Sequence, residues 1–376
     1  MTDRKFLAVV VFTYKHPDTV YAILTQWMAL LKELEFDLYY LDSSPDTSTK
    51  EIVESFQKRC SRLYYIRISP ECDSEKKTRL PFNKDFLPYK YKYFWPIKDR
   101  VVPTPGLMLK TYMCLINGCD AVEISPKHPN DCFAPLKYKS EYTDCVEFYK
   151  DLAWSAIDMQ STIYSYDTVL SHYDEKMIIE RYPEPGFNHT MAFFHYLAEM
   201  RSCRIYFIYA GTKNCTFLSD NVISGWRMNN TGIYLFGYSW PKTNKALPEV
   251  YKPYMKKAVK EETNLPALFG SIDGLLSLNF SDEVNSQYVK QMLTKWNNYS
   301  DIPISVARMI FEKDYNSVYL WFIDTLSGYL SEDKTEKAAL LFAGTRMFIG
   351  NTSFYKNNKQ LMDDLLSIYN NAQLEK

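Results

Sequence analysis

The stretch YFWPIKDRVVP, residues 93–103, sets one carboxylate, Asp99, between two cations, Lys98 and Arg100, where an aromatic and apolar run stops. Two chemistries suit that arrangement. Asp99 can ligate a divalent cation, and Lys98 and Arg100 can meet phosphate oxygens, the arginine with bidentate geometry. The plain alternative is a solvated turn with local charge pairing, which contributes little. Two more polar groups stand at the ends of apolar runs: Thr13-Tyr14 after FLAVVVF, and Asp42-Ser43-Ser44 after FDLYYL. Each can serve a ligand, or simply turn the chain and cap the next helix.

What positions these groups follows from periodicity. FLAVVVF (6–12), FDLYYL (36–41) and LYYIRI (63–68) predict buried strands. Between the first two, Asp18 is the expected cap of a helix whose apolar face is Val20, Ile23, Leu24, Trp27, Leu30 and Leu31. Between the second and third, Ser48 and Glu51 have capping-box spacing before IVESFQKR. Strand, helix, strand, helix, strand predicts an α/β fold with a parallel sheet. Ligands of such sheets bind beyond the carboxyl ends of the strands, where all three polar groups lie. Thr104-Pro105 predicts a helix start, AVEI (121–124) a further strand, and 144–157 a helix. STIYSY and RIYFIYA read as strands, with an aromatic helix from about His189 between them. From about residue 262 only helical periodicity is left.

Bulk properties narrow the function. The 376 residues can bury a large core, and 44 Lys and Arg against 45 Asp and Glu argue against a general nucleic-acid binder. No apolar run is long enough to span a membrane, and the N-terminus reads as a first strand rather than a signal peptide. Eight scattered cysteines without a C-x-x-C pair predict reduced thiols, a cytoplasmic setting and no structural zinc. Several N-x-S/T sequons, for example at Asn188, Asn214 and Asn351, then read as chance.

VVVFTYKHPDT followed by FDLYYLDSSPDTSTKE resembles the opening of family 2 glycosyltransferases of the GT-A type. There, a strand ending in a T-Y-N/K-like turn precedes a strand ending in D-x-S-x-D-x-T. YKYFWPIKDRVV resembles the strand that delivers the family's acid motif, D-x-D or, in some capsular enzymes, G-D-G. DCVEFYKDLAWSAIDMQSTIYSYD, GFNHTMAFFHYLAEMRSCRIYFI and SGWRMNNTGIYLFGYSW are similar to later segments of capsule and adhesin-glycan transferases. The resemblance covers about residues 5–260.

It implies a GT-A, Rossmann-like, mostly parallel sheet flanked by helices over residues 1–260, and an all-helical region over 261–376. It also implies a cytoplasmic, bacterial-type hexosyltransferase, with the inner face of the membrane as one candidate place of action. Such an enzyme moves a hexose or N-acetylhexosamine from a UDP-sugar to a glycan acceptor, lipid-linked or protein-linked, with inversion. Thr13, Tyr14, Asp42 and Ser44 would then meet the nucleotide, with Asp42 accepting from the uracil N–H or a ribose hydroxyl. Asp99 matches the central carboxylate of G-D-G, but the flanking acids are missing. Both Mn²⁺ or Mg²⁺ at Asp99 and metal-sparing stabilisation of the diphosphate by Lys98 and Arg100 stay open. The family's usual acid near the start of the helix after the sheet is replaced by Asn188-His189-Thr190. His189 is therefore the first candidate base and Asp158 the second. Trp226-Arg227 are candidates to close over the diphosphate or stack on a sugar. Exposed residues of the C-terminal helices are candidates for homodimer contacts, or for peripheral contact with a membrane-bound acceptor. Two rivals are a non-catalytic, transferase-like subunit that binds a glycan or stabilises a partner transferase and, more weakly, a nucleotidyltransferase.

Overall fold

The computed structural model describes residues 4–99, 101–125, 138–200, 202–210, 215–217, 233–263, 269–277 and 283–374. Arg100, Trp226 and Arg227 lie outside the described residues. The chain divides into two compact units. The first takes the described residues of 4–125, 138–217 and 242–254, and the second those of 233–241 and 255–374.

The first unit is built on β1 (Lys5–Thr13), β2 (Phe36–Asp42), β3 (Leu63–Arg67) and β4 (Tyr91–Lys98). β1 pairs in parallel with both β2 and β4, and β2 with β3. Every residue from Leu7 to Thr13 is buried, because helices cover both faces of the sheet, and the near-continuous β-branched run follows from that. On one face Leu7, Val9 and Val11 join a core with Val20, Leu24 and Trp27 of α1 (Pro17–Trp27). Val53 and Phe56 of α3 (Ser48–Gln57) extend the same core. On the other, Phe94 of β4 stacks near Tyr164 and Tyr166, with ring centroids 5.9 and 5.8 Å apart.

Beyond β4 the sheet continues through β8 (Thr162–Ser165), β6 (Ala121–Ser125), β9 (Ile205–Tyr209) and β7 (Glu141–Tyr142), giving the order β3-β2-β1-β4-β8-β6-β9-β7 among the described residues. β8 runs antiparallel to both neighbours, while β6 and β9 are parallel. β5 (Val101–Pro103) leaves the sheet to pair with β10 (Cys215–Phe217). This is the mostly parallel α/β architecture expected from the sequence. The chain winds outward from β1 to β3 and returns to the far side of β1 as β4, so the topological switch point lies between β1 and β4.

Local starts and stops differ in detail from the sequence reading. Pro17 takes the first helical position and His16 the cap, which moves Asp18 into the first turn of α1. The helix also breaks before Leu30, with α2 (Leu30–Glu33) following as a separate turn. α3 is capped by Thr47, one residue before Ser48, and the Thr47 hydroxyl donates to Glu51 Oε1 at 2.7 Å. Thr104 does cap α5 (Pro105–Ile116), accepting from Leu107 N at 3.3 Å.

The second unit is helical. Phe322 and Leu326, Ala338, Ala339 and Phe342, and Met362 and Leu365 form its core at i,i+3 and i,i+4 spacing. One half-buried carboxylate organises part of it: Asp273 accepts from Met347 N at 2.7 Å and from Phe348 N at 2.9 Å, capping the short helix Arg346–Ile349. Burial raises the pKa of Asp273, while those two N–H groups and Arg346 oppose the rise. Asp273→Ala leaves two amides without their acceptor. It is expected to lower the stability of this unit by about 2 kcal/mol in urea unfolding followed by tryptophan fluorescence. No helix among the described residues is long and apolar enough to cross a membrane.

Candidate active site

Thr13, Asp42 and Asp99 meet at the carboxyl edge of β1, β2 and β4, as the strand register requires. Asp99 N donates to Phe12 O at 3.2 Å, and Tyr14 N donates to Asp99 Oδ2 at 3.2 Å, so the carboxylate bridges the switch point. Asp99 is almost wholly buried, whereas Tyr14 is 45% exposed. Lys15 adopts φ 58°, in the left-handed region, and its N–H donates to Ser44 Oγ at 2.8 Å. That turn hooks the end of β1 onto the end of β2.

Asp42 is 0% exposed and saturated. Oδ1 accepts from Ser44 N at 2.8 Å and Ser44 Oγ at 2.5 Å, while Oδ2 accepts from Tyr65 OH at 2.8 Å and faces Arg67 Nη1 at 3.5 Å. Both oxygens are engaged within the protein, so the carboxylate organises Ser44, Tyr65 and Arg67 rather than lying open to a uracil or ribose.

A cation that the sequence reading passed over sits among these groups. α4 (Ser74–Arg79) buries Lys77, whose Nζ donates to Thr13 O and to Ser43 Oγ, each at 2.8 Å. Burial pulls its pKa down, opposed by the charges of Asp99 and Asp42. The carboxyl edge of β1 therefore carries a cation between two acids. SEKKTR has no apolar periodicity to announce a buried side, and only its Asp73 cap, accepting from Lys76 N at 2.7 Å, marks a helix. The same helix turns Glu75 toward α8 (Asn188–Glu199), where it accepts from Gly186 N at 2.9 Å.

A second group assembles at the carboxyl ends of β4 and β6. Lys98 Nζ donates to Asp158 Oδ1 at 2.8 Å, and Gln160 Nε2 donates to Asp158 Oδ2 at 2.9 Å. The Asp158 side chain is 30% exposed. Burial would raise its pKa, but Lys98, His189 and Gln160 together outweigh that and hold the carboxyl below its usual range. His189 stands nearby in the first turn of α8, 8% exposed, with Nε2 at 3.1 Å from Ile157 O. Its pKa is pushed down to about 4, first by burial, with Lys98 adding to the effect. Asp158 is therefore ionised at neutral pH and partly open, whereas His189 is neutral and enclosed.

Several buried polar atoms here have no partner among the described residues: Thr13 Oγ1, Ser125 Oγ, Gln160 Oε1 and Asn188 Oδ1. Orphaned groups of this kind are uncommon in native interiors and invite water or a ligand. For a divalent cation the donor set is sparse. Among the described residues no three His, Cys, Asp or Glu side chains group to cage one. Asp99 alone suits Mg²⁺ or Mn²⁺ bound chiefly through phosphates and water, with one carboxylate from the protein.

No protein-family model matches the chain, and no curated protein matches it. Among solved structures it is similar to residues 1–349 of S. aureus TarS, at 15% identity and TM-score 0.48, covering 83% of this chain and 90% of that one. It is also similar to the mannosyltransferase PcManGT from Pyrobaculum calidifontis in complex with GDP-Man and Mn²⁺, at 14% identity and TM-score 0.45, covering 91% and 86%. A 4-diphosphocytidyl-2C-methyl-D-erythritol synthase from Anaerococcus prevotii is similar over 57% of this chain and 94% of that one, at 11% identity and TM-score 0.37.

Proposed function

We propose that this chain transfers a hexose or N-acetylhexosamine from a nucleoside diphosphate sugar, UDP-linked in the first instance, to a hydroxyl of a glycan acceptor, with inversion. The observation that carries the proposal is the Thr13–Lys77–Asp99 constellation bridging the switch point of a mostly parallel sheet. That crevice is where such sheets bind nucleotides. Lys77 and Lys98 bring positive charge to the two sides of the place a diphosphate would occupy, countering the charge that develops as the nucleotide departs. Asp99 would hold Mg²⁺ or Mn²⁺, which supplies further positive charge to the leaving diphosphate when bound.

Asp158 takes the proton from the acceptor hydroxyl in this scheme. It is the ionised, partly exposed carboxylate of the second group, and Lys98 links it to the strand that carries Asp99. His189 packs behind it, enclosed at 8% exposure with its Nε2 held at Ile157 O, so it is the less accessible of the two to an acceptor hydroxyl.

Thermal unfolding tests the nucleotide site directly. A ligand at about 100 times its Kd stabilises the native state by about 2.7 kcal/mol, which is worth roughly 5–10 °C in a unit of this size. UDP with Mn²⁺ is expected to give that rise, and Asp99→Ala or EDTA to remove most of it. A rise indifferent to EDTA assigns the charge compensation to the lysines. The absence of a rise with millimolar UDP or GDP defeats the proposal and favours a non-catalytic, transferase-like subunit.

A further inference from the structure

We infer that Glu123 is a positioning residue that clamps the two ends of the segment bearing Asp158. This rests on the transferase reading above. Glu123 lies in β6 and is 0% exposed. Its Oε1 accepts from Ser155 Oγ at 2.7 Å, and its Oε2 accepts from Thr162 Oγ1 at 2.7 Å. Ser155 and Thr162 bracket the loop that holds Asp158 and Gln160. One carboxylate thus spans the loop from beneath. The loop closes on itself above, through Ser161 Oγ to Ser155 O at 3.0 Å and to Asp158 O at 2.6 Å. Trp95 Nε1 to Gln160 O, at 2.9 Å, pins it to β4.

A core position in a sheet has cheaper occupants than a charge, since an apolar side chain there needs no partners. What the carboxylate adds is direction: ionised, it makes both hydroxyls donate toward it, which fixes the loop ends. Protonated, it must donate to one of them, and that arm reverses. Burial raises its pKa to about 7, with the Ser155, Thr162 and Ser161 hydroxyls opposing the rise and the Asp158 charge adding to it. Tyr164 faces it from β8, and Lys98 and His189 reach Asp158 from β4 and α8. A folded pKa above the ordinary carboxylate value means that the two-donor clamp is present above pH 7 and is lost as pH falls through 7.

The test compares wild type, Glu123→Gln and Thr162→Val, the last two disturbing one arm each with little change of volume. Amide hydrogen exchange of residues 155–162 is read beside kcat, KM and the pH profile of UDP release from a panel of UDP-hexoses. The clamp predicts faster exchange confined to 155–162, an unchanged KM for donor, and kcat lower by about 10–100-fold, as small misplacements of reacting groups produce. It also predicts loss of the acid limb near pH 7 in Glu123→Gln. Unchanged exchange in both variants overturns the clamp. Faster exchange with an unaltered kcat and pH profile overturns its catalytic role. If wild type releases no UDP from any donor while exchange still quickens, the transferase reading fails and the clamp stands.

Discussion

Replacing Asp158 by Asn is expected to lower kcat by about 10³-fold while leaving nucleotide binding within twofold of wild type. The magnitude is that of removing a positioned general base. The amide keeps the size of the side chain and can still accept from Lys98, so the loop should keep its place, but it cannot take a proton. His189→Asn is the informative companion. His189 is enclosed and holds its pKa near 4. It is neutral throughout the working range and should cost no more than about tenfold, through packing around Ile157 O. Steady-state kinetics with a fixed donor and varied acceptor separates the two. A larger loss at His189 than at Asp158 would return the base to the histidine. The pH dependence adds a sign: Asp158 is ionised well below neutrality, so its own titration cannot produce a limb near pH 7.

The second large effect concerns Lys77. Lys77→Met preserves the length of the apolar stem but removes the ammonium that Thr13 O and Ser43 Oγ accept from. Asp42 and Asp99 then lose the buried cation that offsets their charge. Stripping one partner from buried charges costs about 3 kcal/mol or more, or roughly 8 °C of melting temperature for a unit of this size. The nucleotide-dependent rise in Tm should vanish as well, because the same ammonium flanks the proposed diphosphate. A variant that melts near wild type and still responds to UDP would remove Lys77 from the site. One that melts low yet still responds would leave it a purely structural role.

The sequence made the nucleotide half of this arrangement readable for a simple reason. β1, β2 and β4 are buried on both faces, so each shows as a largely apolar run, and the polar residues where each run stops mark the sheet edge. Thr13, Asp42 and Asp99 were found by that rule. Lys77 was not, because α4 has six residues and a single buried side chain, which leaves no period to detect. Glu123 escaped for the opposite reason: AVEI looked like one more short strand, and its central acid carried no sign of the hydroxyls that would meet it from residues 32 and 39 positions later. The exposure that ranks Asp158 ahead of His189 depends on how the 155–161 loop folds over β4. Sequence spacing alone holds no information about that.

The direction of β8 has a consequence for how the molecule assembles. β1 to β4 lie side by side in the sheet and within the first hundred residues, so the nucleotide edge can form early. β4 then waits. Its other neighbour is β8, some 70 residues later in the chain, and until β8 arrives the aromatic flank Tyr91–Lys98 is an open row of unpaired backbone groups. Such an edge is a template for pairing with another chain, and pairings of long sequence separation form slowly. The strand that delivers Asp158 is therefore also the one that seals the sheet. A nascent or truncated chain ending before residue 160 would carry the nucleotide edge together with an aggregation-prone flank.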